Sequence, residues 1–461
     1  MQQNSVPSQA GVETRRGFIK KAATAAAAVA AVNVFKTPVY GQNTAPSTGR
    51  TIGANDRILV GFVGVGPQGT LHVNKMKDGA DKNNAALVAV CDLWAKRREA
   101  AKAVIGNADV KLYDDYRKLL EQKDIDAVIC ATHDVWHAQV SIDTMKAGKH
   151  IYVEKPMSRY LPEAWQVWDT VKSTGKVFQV GSQGCSDAKW QKCAELVKAG
   201  KIGQLVLGQG SYMRNTPTGE WNYKIDEDLK ADSINWETWQ GPNVKKRIPF
   251  TADYYFRWRK YYPFCAGLLG DLFPHRLHPH LLATGNPEFP RRVVALGTHA
   301  IHSDKNTPGT PERDSPECIS LITEFPSGYS LIMVSSSVNE QGLEDVIRGS
   351  KATLHVGAST PRVELKPERP FSEELDPEDY QNLLPVEDIG THESNWLACI
   401  RENKQPNANI ELAIRTQTII SLGEMSERLG IQCHFDDASK ELKNGAGQKV
   451  EPITYGTLPL S

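Results

Sequence analysis

The run Gly64-Val65-Gly66-Pro67-Gln68-Gly69 stands directly after the apolar stretch Ile58 to Val63 and just before a helical pattern. In that setting glycines allow a tight turn and let backbone amides at a helix start approach a pyrophosphate. Asp92 ends a second apolar stretch about 23 residues beyond Gly69, near the ~20 expected of an acid that bonds a ribose 2′-hydroxyl. The pair predicts a dinucleotide site. A carboxylate there repels a 2′-phosphate and selects NAD, while Lys96, Arg97 and Arg98 close by keep NADP as the alternative. The plainer reading is a glycine turn with no ligand and a surface aspartate.

Two further segments, Ala131-Thr132-His133-Asp134-Val135-Trp136-His137 and Tyr152-Val153-Glu154-Lys155-Pro156, each follow an apolar strand candidate. Both fall where open α/β sheets bind ligands, at the carboxyl ends of the strands. Farther on come Gln179-Val180-Gly181-Ser182-Gln183, the Trp236 to Pro242 segment, Phe256-Arg257-Trp258-Arg259 and Gly270-Asp271-Leu272-Phe273-Pro274-His275. In this order and spacing the segments resemble the Gfo/Idh/MocA family of dinucleotide-dependent oxidoreductases over most of the chain beyond its first forty residues.

That resemblance implies a cofactor-binding set of Gly64, Gly66, Pro67, Gln68, Gly69, Asp92, Thr132, His133, Trp136, His137, Glu154 and Lys155. It also implies that Lys155, Asp271 and His275 surround the reacting carbon, and that Lys155-Pro156 is a cis peptide. The chemistry suits those residue types. Moving hydride from a carbinol carbon requires a base for the hydroxyl proton, and a histidine titrates in the useful range. A lysine cation stabilises the developing alkoxide or shares the proton, and an aspartate orients the imidazole or bonds the substrate. Tyr212, Arg257 and Trp258 are the expected substrate contacts, since aromatic faces and planar donors suit sugar rings, although each could equally be a packing or ion-pair residue.

His275-Arg276-Leu277-His278-Pro279-His280 is histidine-rich, but no carboxylate or cysteine is spaced with it as a metal ligand set, so no metal is expected. Pro279 lacks an amide hydrogen and its ring crowds the carbonyl of His275 in a helix, which predicts a kink there. Pro274 fits the first turn of a helix capped by Asp271. Which of the three histidines faces the cofactor is left to the fold.

The elements that must position these residues are legible as an alternation of short apolar runs and amphipathic helices, the pattern of βαβ units and a parallel sheet. Strands are expected at Ile58 to Val63, Ala86 to Cys91, Lys111 to Tyr113, Ala127 to Ala131, Ile151 to Val153 and Val177 to Val180. From about Ile202 longer runs with partial alternation take over: Gln204 to Arg214, Cys318 to Phe325 and Tyr329 to Val338, the last two flanking a Pro326-Ser327-Gly328 turn. Two late helices, Ser394 to Glu402 and Ile410 to Arg428, follow. The fold class is therefore α/β: an N-terminal Rossmann domain with a C-terminal α+β domain on an open, largely antiparallel sheet. The expected division is a signal peptide over 1–42, a linker over 43–56, the dinucleotide-binding domain over 57–182, and a substrate and oligomerisation domain over 183–461.

Composition narrows the function further. Lys+Arg and Asp+Glu both number 54, so no global field draws the chain to nucleic acid or an anionic membrane, and a small, weakly charged partner is expected. Eight cysteines lie scattered without a zinc or redox spacing and are expected to be reduced, structural thiols. Arg15-Arg16 before the Ala-rich run from Ala22 to Val34 resembles a twin-arginine (Tat) export signal, which predicts a periplasmic or secreted protein with no membrane span after cleavage. Nicotinamide cofactors are scarce outside the cytoplasm, so the cofactor should stay bound and be recycled. Two enzymatic readings meet that condition. One is an NAD(P)-dependent carbohydrate oxidoreductase; the other is a redox-assisted glycoside hydrolase that oxidises a ring carbon transiently, eliminates the glycosidic bond and adds water. A non-enzymatic dinucleotide-binding protein would leave Lys155 and His275 idle. By resemblance, a homodimer or tetramer is expected.

Overall fold

The computed structural model describes residues 56–244, 247–301 and 312–458; the expected signal and nearly all of the linker lie outside them. The first part alternates β1 (Ile58–Val63), α1 (Pro67–Asp78), β2 (Ala85–Cys91), α2 (Ala95–Ile105), β3 (Lys111–Tyr113), α3 (Tyr116–Leu120), β4 (Ala127–Cys130), α4 (Asp134–Lys146), β5 (His150–Glu154), α5 (Leu161–Thr174) and β6 (Phe178–Gly181). These six strands form one parallel sheet in the order β3-β2-β1-β4-β5-β6. The order reverses beside β1, and at such a switch point the loops after the neighbouring strands splay apart and open a crevice. The loop after β1 carries the glycines and that after β4 carries Thr132 and His133, so both candidate segments meet there.

The remainder holds α6 (Ala188–Lys198), β7 (Leu205–Asn215), α7 (Trp236–Trp239), α8 (Ala252–Phe256), α9 (Leu268–Asp271), α10 (Pro274–Ala283), β8 (Arg292–Thr298), β9 (Cys318–Glu324), β10 (Ser330–Ser336) and β11 (Val338–Asn339). It continues with β12 (Asp345–Gly349), β13 (Ala352–Val356), β14 (Val363–Pro367), β15 (Glu378–Tyr380), α11 (Ile389–Glu402), α12 (Ile410–Leu429), β16 (Cys433–Phe435) and β17 (Leu442–Asn444). A second sheet runs β15-β14-β13-β12-β7-β10-β9-β8-β16-β17, with β11 beside β7. It is antiparallel except where β7 and β10 run parallel. The turn at Pro326-Ser327-Gly328 joins β9 to β10 as a hairpin, with Gly328 at φ 86°. Helix α12 lies on the inner face of this sheet so closely that a Cβ at Gly423 would meet the Leu321 side chain at 2.8 Å.

One packing relation crosses the chain. Trp396, Leu397 and Ile400 of α11 are buried with Ile58, Val60, Phe62 and Val73, so a late helix completes the core of the parallel sheet. A second cluster gathers Trp94 with Leu229, Ile234, Trp239, Ile248, Tyr255 and Phe264, drawing the irregular segment after β7 to the rim of the crevice. All eight cysteines are free thiols. No helix among the described residues is long and apolar enough to cross a membrane.

One local expectation needs correction. Asp271 does not cap α10: it ends α9, Phe273 occupies the cap position without a side-chain bond, and the Asp271 carboxylate is engaged elsewhere. Pro279 lies inside α10, which runs from Pro274 to Ala283. The missing amide faces the first turn, where the Arg276 guanidinium donates to the His275 carbonyl at 3.3 Å.

Candidate functional site

A cleft of about 1740 Å³ opens at the carboxyl ends of the parallel strands. Its lining includes Gly64, Gly66, Pro67, Gln68, Asp92, Thr132, His133, Trp136, His137, Glu154, Lys155, Asp271, His275 and Trp258. Gly69, Tyr212 and Arg257 are not on that surface, and each has another role.

The glycines are required by shape. Gly64 has φ +83°, and a Cβ there would stand 2.8 Å from the Thr132 amide nitrogen. A Cβ on Gly69 would run into the Gly64 carbonyl, so Gly69 lets α1 start against the end of β1. Gly66 caps α1 without a side chain and Pro67 takes its first position, leaving first-turn amides for an anion. Asp92 accepts from the Val65 amide with one oxygen and from the Trp94 amide with the other, both at 2.9 Å, which ties the glycine loop to the end of β2. A carboxylate offers about four acceptor sites, so Asp92 keeps capacity for a ribose hydroxyl. An uncapped helix start, a glycine cradle and this acid fit a dinucleotide.

The basic neighbours divide. Lys96 is held by Asp226 and Asp228 at 2.7 and 2.6 Å, and the Arg98 guanidinium donates to the Asp92 carbonyl at 2.6 Å. Arg97 lies over the Tyr255 ring at 4.8 Å, beside Gly66.

At the other end of the cleft the peptide Lys155-Pro156 is cis. The Lys155 ammonium donates to the Asp271 carbonyl at 2.7 Å and to its Oδ1 at 2.8 Å. Arg259 Nε donates to the same oxygen at 3.0 Å, and the Trp221 indole donates to Oδ2 at 3.0 Å. Burial works against the Asp271 charge, but Lys155 and Arg259 outweigh it and hold its carboxyl well below the usual range. His275 stacks on Tyr212, ring centres 4.6 Å apart and 15° from parallel. Burial and then the Lys155 charge push its imidazole well below the ordinary histidine range, so the ring is neutral at neutral pH. Its Nδ1 has no hydrogen-bond partner among the described residues.

Of the three clustered histidines only His275 lines the cleft. His278 Nδ1 is 3.0 Å from the Pro274 carbonyl, and His280 Nε2 is 3.0 Å from Asp345. Among the described residues no three His, Cys, Asp or Glu side chains are arranged to hold a metal ion.

Tyr212 is thus a platform behind His275. Arg257 is buried away from the cleft, with Nε donating to the Tyr223 carbonyl and Nη1 to Asp253, four residues earlier. The arginine that reaches the site is Arg259. Trp258 stays on the cleft wall with the Arg259 guanidinium over its ring at 4.2 Å. Trp136 and His137 brace the walls: the Trp136 indole donates to the Thr238 carbonyl, and the His137 ring bridges the Thr132 and Pro156 carbonyls. His133 stacks on Trp239 at 4.1 Å, and burial pushes its ring down to about 3, leaving Nε2 an unpaired neutral atom at the cleft.

Sequence reasoning missed Arg259 and Trp221, which bond Asp271, Arg214 and Tyr223, which line the cleft, and the tryptophan wall at Trp239. An aspartate four residues before Arg257 was a signal that this arginine is paired along a helical turn. Nothing comparable marks Trp221, which reaches Asp271 from 50 residues away.

Comparison with known proteins agrees with this geometry. Residues 58–182 match the Gfo/Idh/MocA family model, described as an oxidoreductase family with an NAD-binding Rossmann fold. A glycosyl hydrolase family 109 protein of Shewanella baltica is 30% identical over 246 residues, covering 50% of this chain and 52% of that protein. An alpha-N-acetylgalactosaminidase of Shewanella oneidensis is 29% identical over 230 residues, covering 45% and 49%. The chain spans about half the length of the curated relatives it matches. Among solved structures, levoglucosan dehydrogenase in complex with NADH and levoglucosan superposes with a TM-score of 0.63 at 15% identity, over 84% of this chain and 99% of that one.

Proposed function

We propose that this protein is an NAD-dependent oxidoreductase acting on a sugar or sugar derivative, with NADP as the alternative cofactor, and that the dinucleotide is retained and recycled. The observation that carries the reading is a neutral His275 on its Tyr212 platform beside the Lys155–Asp271–Arg259 cluster, at the far end of a glycine-cradled cleft. Bound there, the dinucleotide would supply a hydride acceptor. His275 takes the hydroxyl proton of the substrate because its ring is unprotonated. Lys155 stabilises the alkoxide that develops, and Asp271, kept ionised, fixes the ammonium in place. Trp258 and Arg259 offer an aromatic face and planar donors for a sugar ring.

A second reading is favoured by the relatives, a family 109 glycosyl hydrolase and an alpha-N-acetylgalactosaminidase. In it the hydride step is transient, and elimination and water addition give net hydrolysis. One experiment separates the two: the protein, loaded with its dinucleotide as judged by native mass spectrometry, is given glycosides and free sugars in deuterated water. Net NADH from a free sugar supports the dehydrogenase; sugar release with ring deuterium and no net NADH supports the hydrolase. No turnover of either class removes both.

The division into a dinucleotide-binding domain over 57–182 and a substrate and oligomerisation domain over 183–461, twin-arginine export to the periplasm or medium, and a homo-oligomeric state belong to the same reading. Export is supported by the paired arginines and the apolar run that follows them. Association is supported by the apolar outer face of the second sheet, where Val294, Leu296 and Ile322 are exposed.

A further inference from the structure

Behind the catalytic lysine lies a charged unit that the hydride chemistry does not use. His72, on α1, is fully buried. Its Nε2 is 2.9 Å from Glu154 Oε1 and its Nδ1 is 2.7 Å from Glu393 Oε1 on α11. Two ionised carboxylates on the two ring nitrogens are satisfied together only if both nitrogens carry hydrogen, that is, by an imidazolium. Glu154 in turn accepts from the Gln68 amide at 2.8 Å and, with Oε2, from the Lys155 backbone amide at 3.0 Å. Its carboxyl is wedged against Gly181, where a Cβ would stand 3.0 Å away. The ring therefore sits one carboxylate from the backbone of Lys155 and one from α11.

We propose that His72 is the positioning residue of the catalytic lysine: as a buried cation bridging Glu154 and Glu393, it fixes the Glu-Lys-Pro turn and the Gln68 side chain and makes their geometry depend on the docking of α11. The proposal rests on the functional reading above only where turnover is measured. The two carboxylates are not equal: burial pushes the Glu393 carboxyl up and the His72 bond and charge offset this only in part, whereas Glu154 holds its charge firmly. Burial pushes the His72 ring down, but the bonds and charges of Glu154 and Glu393 outweigh it and raise the ring to about 9. Burial likewise pushes Glu154 up, and the His72 bond and charge, then Lys155 and Gln68, bring it to about 2. Other groups facing the unit are Tyr152 on β5, whose ring is 5.2 Å from His72, His392 beside Glu393 on α11, and Asp388 with its Lys75 partner at the start of that helix. Burial pushes His392 to about 4, so it is neutral wherever the His72 cation matters.

The test uses the whole protein and two variants, His72→Gln and Glu393→Gln. Competitive acetylation read by mass spectrometry reports the reactivity of Lys155 against exposed Lys118 and needs no substrate. The expected result is a rise of about threefold or more in relative Lys155 labelling in both variants, as the turn loosens. If His72→Gln unfolds, all lysines rise together and Glu393→Gln decides; unchanged Lys155 labelling in a folded Glu393→Gln protein overturns the proposal. With a turned-over sugar, Glu393→Gln should lower the pH of the alkaline limb of kcat by about one unit and leave the sugar KM within about twofold. Superimposable kcat profiles overturn it as well. Absence of turnover in the parent counts against the proposed function and leaves the labelling result to decide this one.

Discussion

Lys155, Asp271 and His275 form a set whose charges are sorted by environment. Asp271 stays ionised because two cations and an indole surround it, and His275 stays neutral because it is buried beside the same lysine. A group whose folded value is depressed is protonated only below the ordinary range, so the base is available through neutral pH and below. The acid limb of kcat/KM should accordingly lie below the ~6.5 of a free histidine; a limb at or above that value would show that another group is the base. His275→Ala should lower kcat by about 10² to 10⁴, the usual contribution of a positioned base, and Lys155→Ala should be comparably impaired. Unchanged turnover in both variants would remove this site assignment. The two arginines should separate. Arg257→Ala removes the nearer of the two cations on buried Asp253, leaving it Lys260 at 3.8 Å, and should cost about 1–3 kcal/mol of stability, read in a denaturant titration. Arg259→Ala, at the cleft, should act on KM and kcat at smaller cost to the fold.

The regular elements were legible because their physics is local. Period-two and helical patterns located β1 and β3 at their observed bounds, the other expected strands within a residue or two, and the turn at Gly328, whereas β8 and the short strands β12 to β17 were not read from the sequence. The glycine loop was legible for the same reason. Gly69→Ala should abolish dinucleotide retention in native mass spectrometry, because the new methyl has no room against the Gly64 carbonyl. What was not legible comes from contacts distant in sequence. Tyr212 and Arg257 have the composition of sugar contacts, yet β7 turns Tyr212 onto α10 and a helical turn pairs Arg257 with Asp253. The same holds for α11, whose pattern announces a helix but not its destination. Trp396 is fully buried against the parallel sheet, so Trp396→Ala should cost about 3–5 kcal/mol. Its loss should also loosen the Lys155 turn through Glu393, giving a Lys155 labelling change like that expected of Glu393→Gln.

At the scale of the whole molecule the second sheet is unequal on its two faces. Residues facing inward, such as Val293, Leu321, Leu331 and Met333, are buried, in part beneath α12. On the outer face the register aligns Val294, Ile322 and Ile332 across β8, β9 and β10, with Leu296, Ser320 and Val334 in the next row. Val294 is 40%, Ile322 51% and Leu296 67% exposed, so adjoining rows leave branched apolar side chains in water. An exposed apolar face of this kind suits a second copy of the same face, because an isologous pair covers both patches at once. A stable interface buries about 800 Å² per partner, an area that three or four central strands can supply. The expected outcome is a dimer or larger assembly in light scattering with mass detection. The double variant Leu296→Lys, Ile322→Lys should then shift the mass toward one chain, since each copy would bury like charges against one another. Thermal stability at low protein concentration should change little, because both positions point away from the core. A parent protein that is monomeric at micromolar concentration, or a double variant of unchanged mass, would assign this face to something other than self-association.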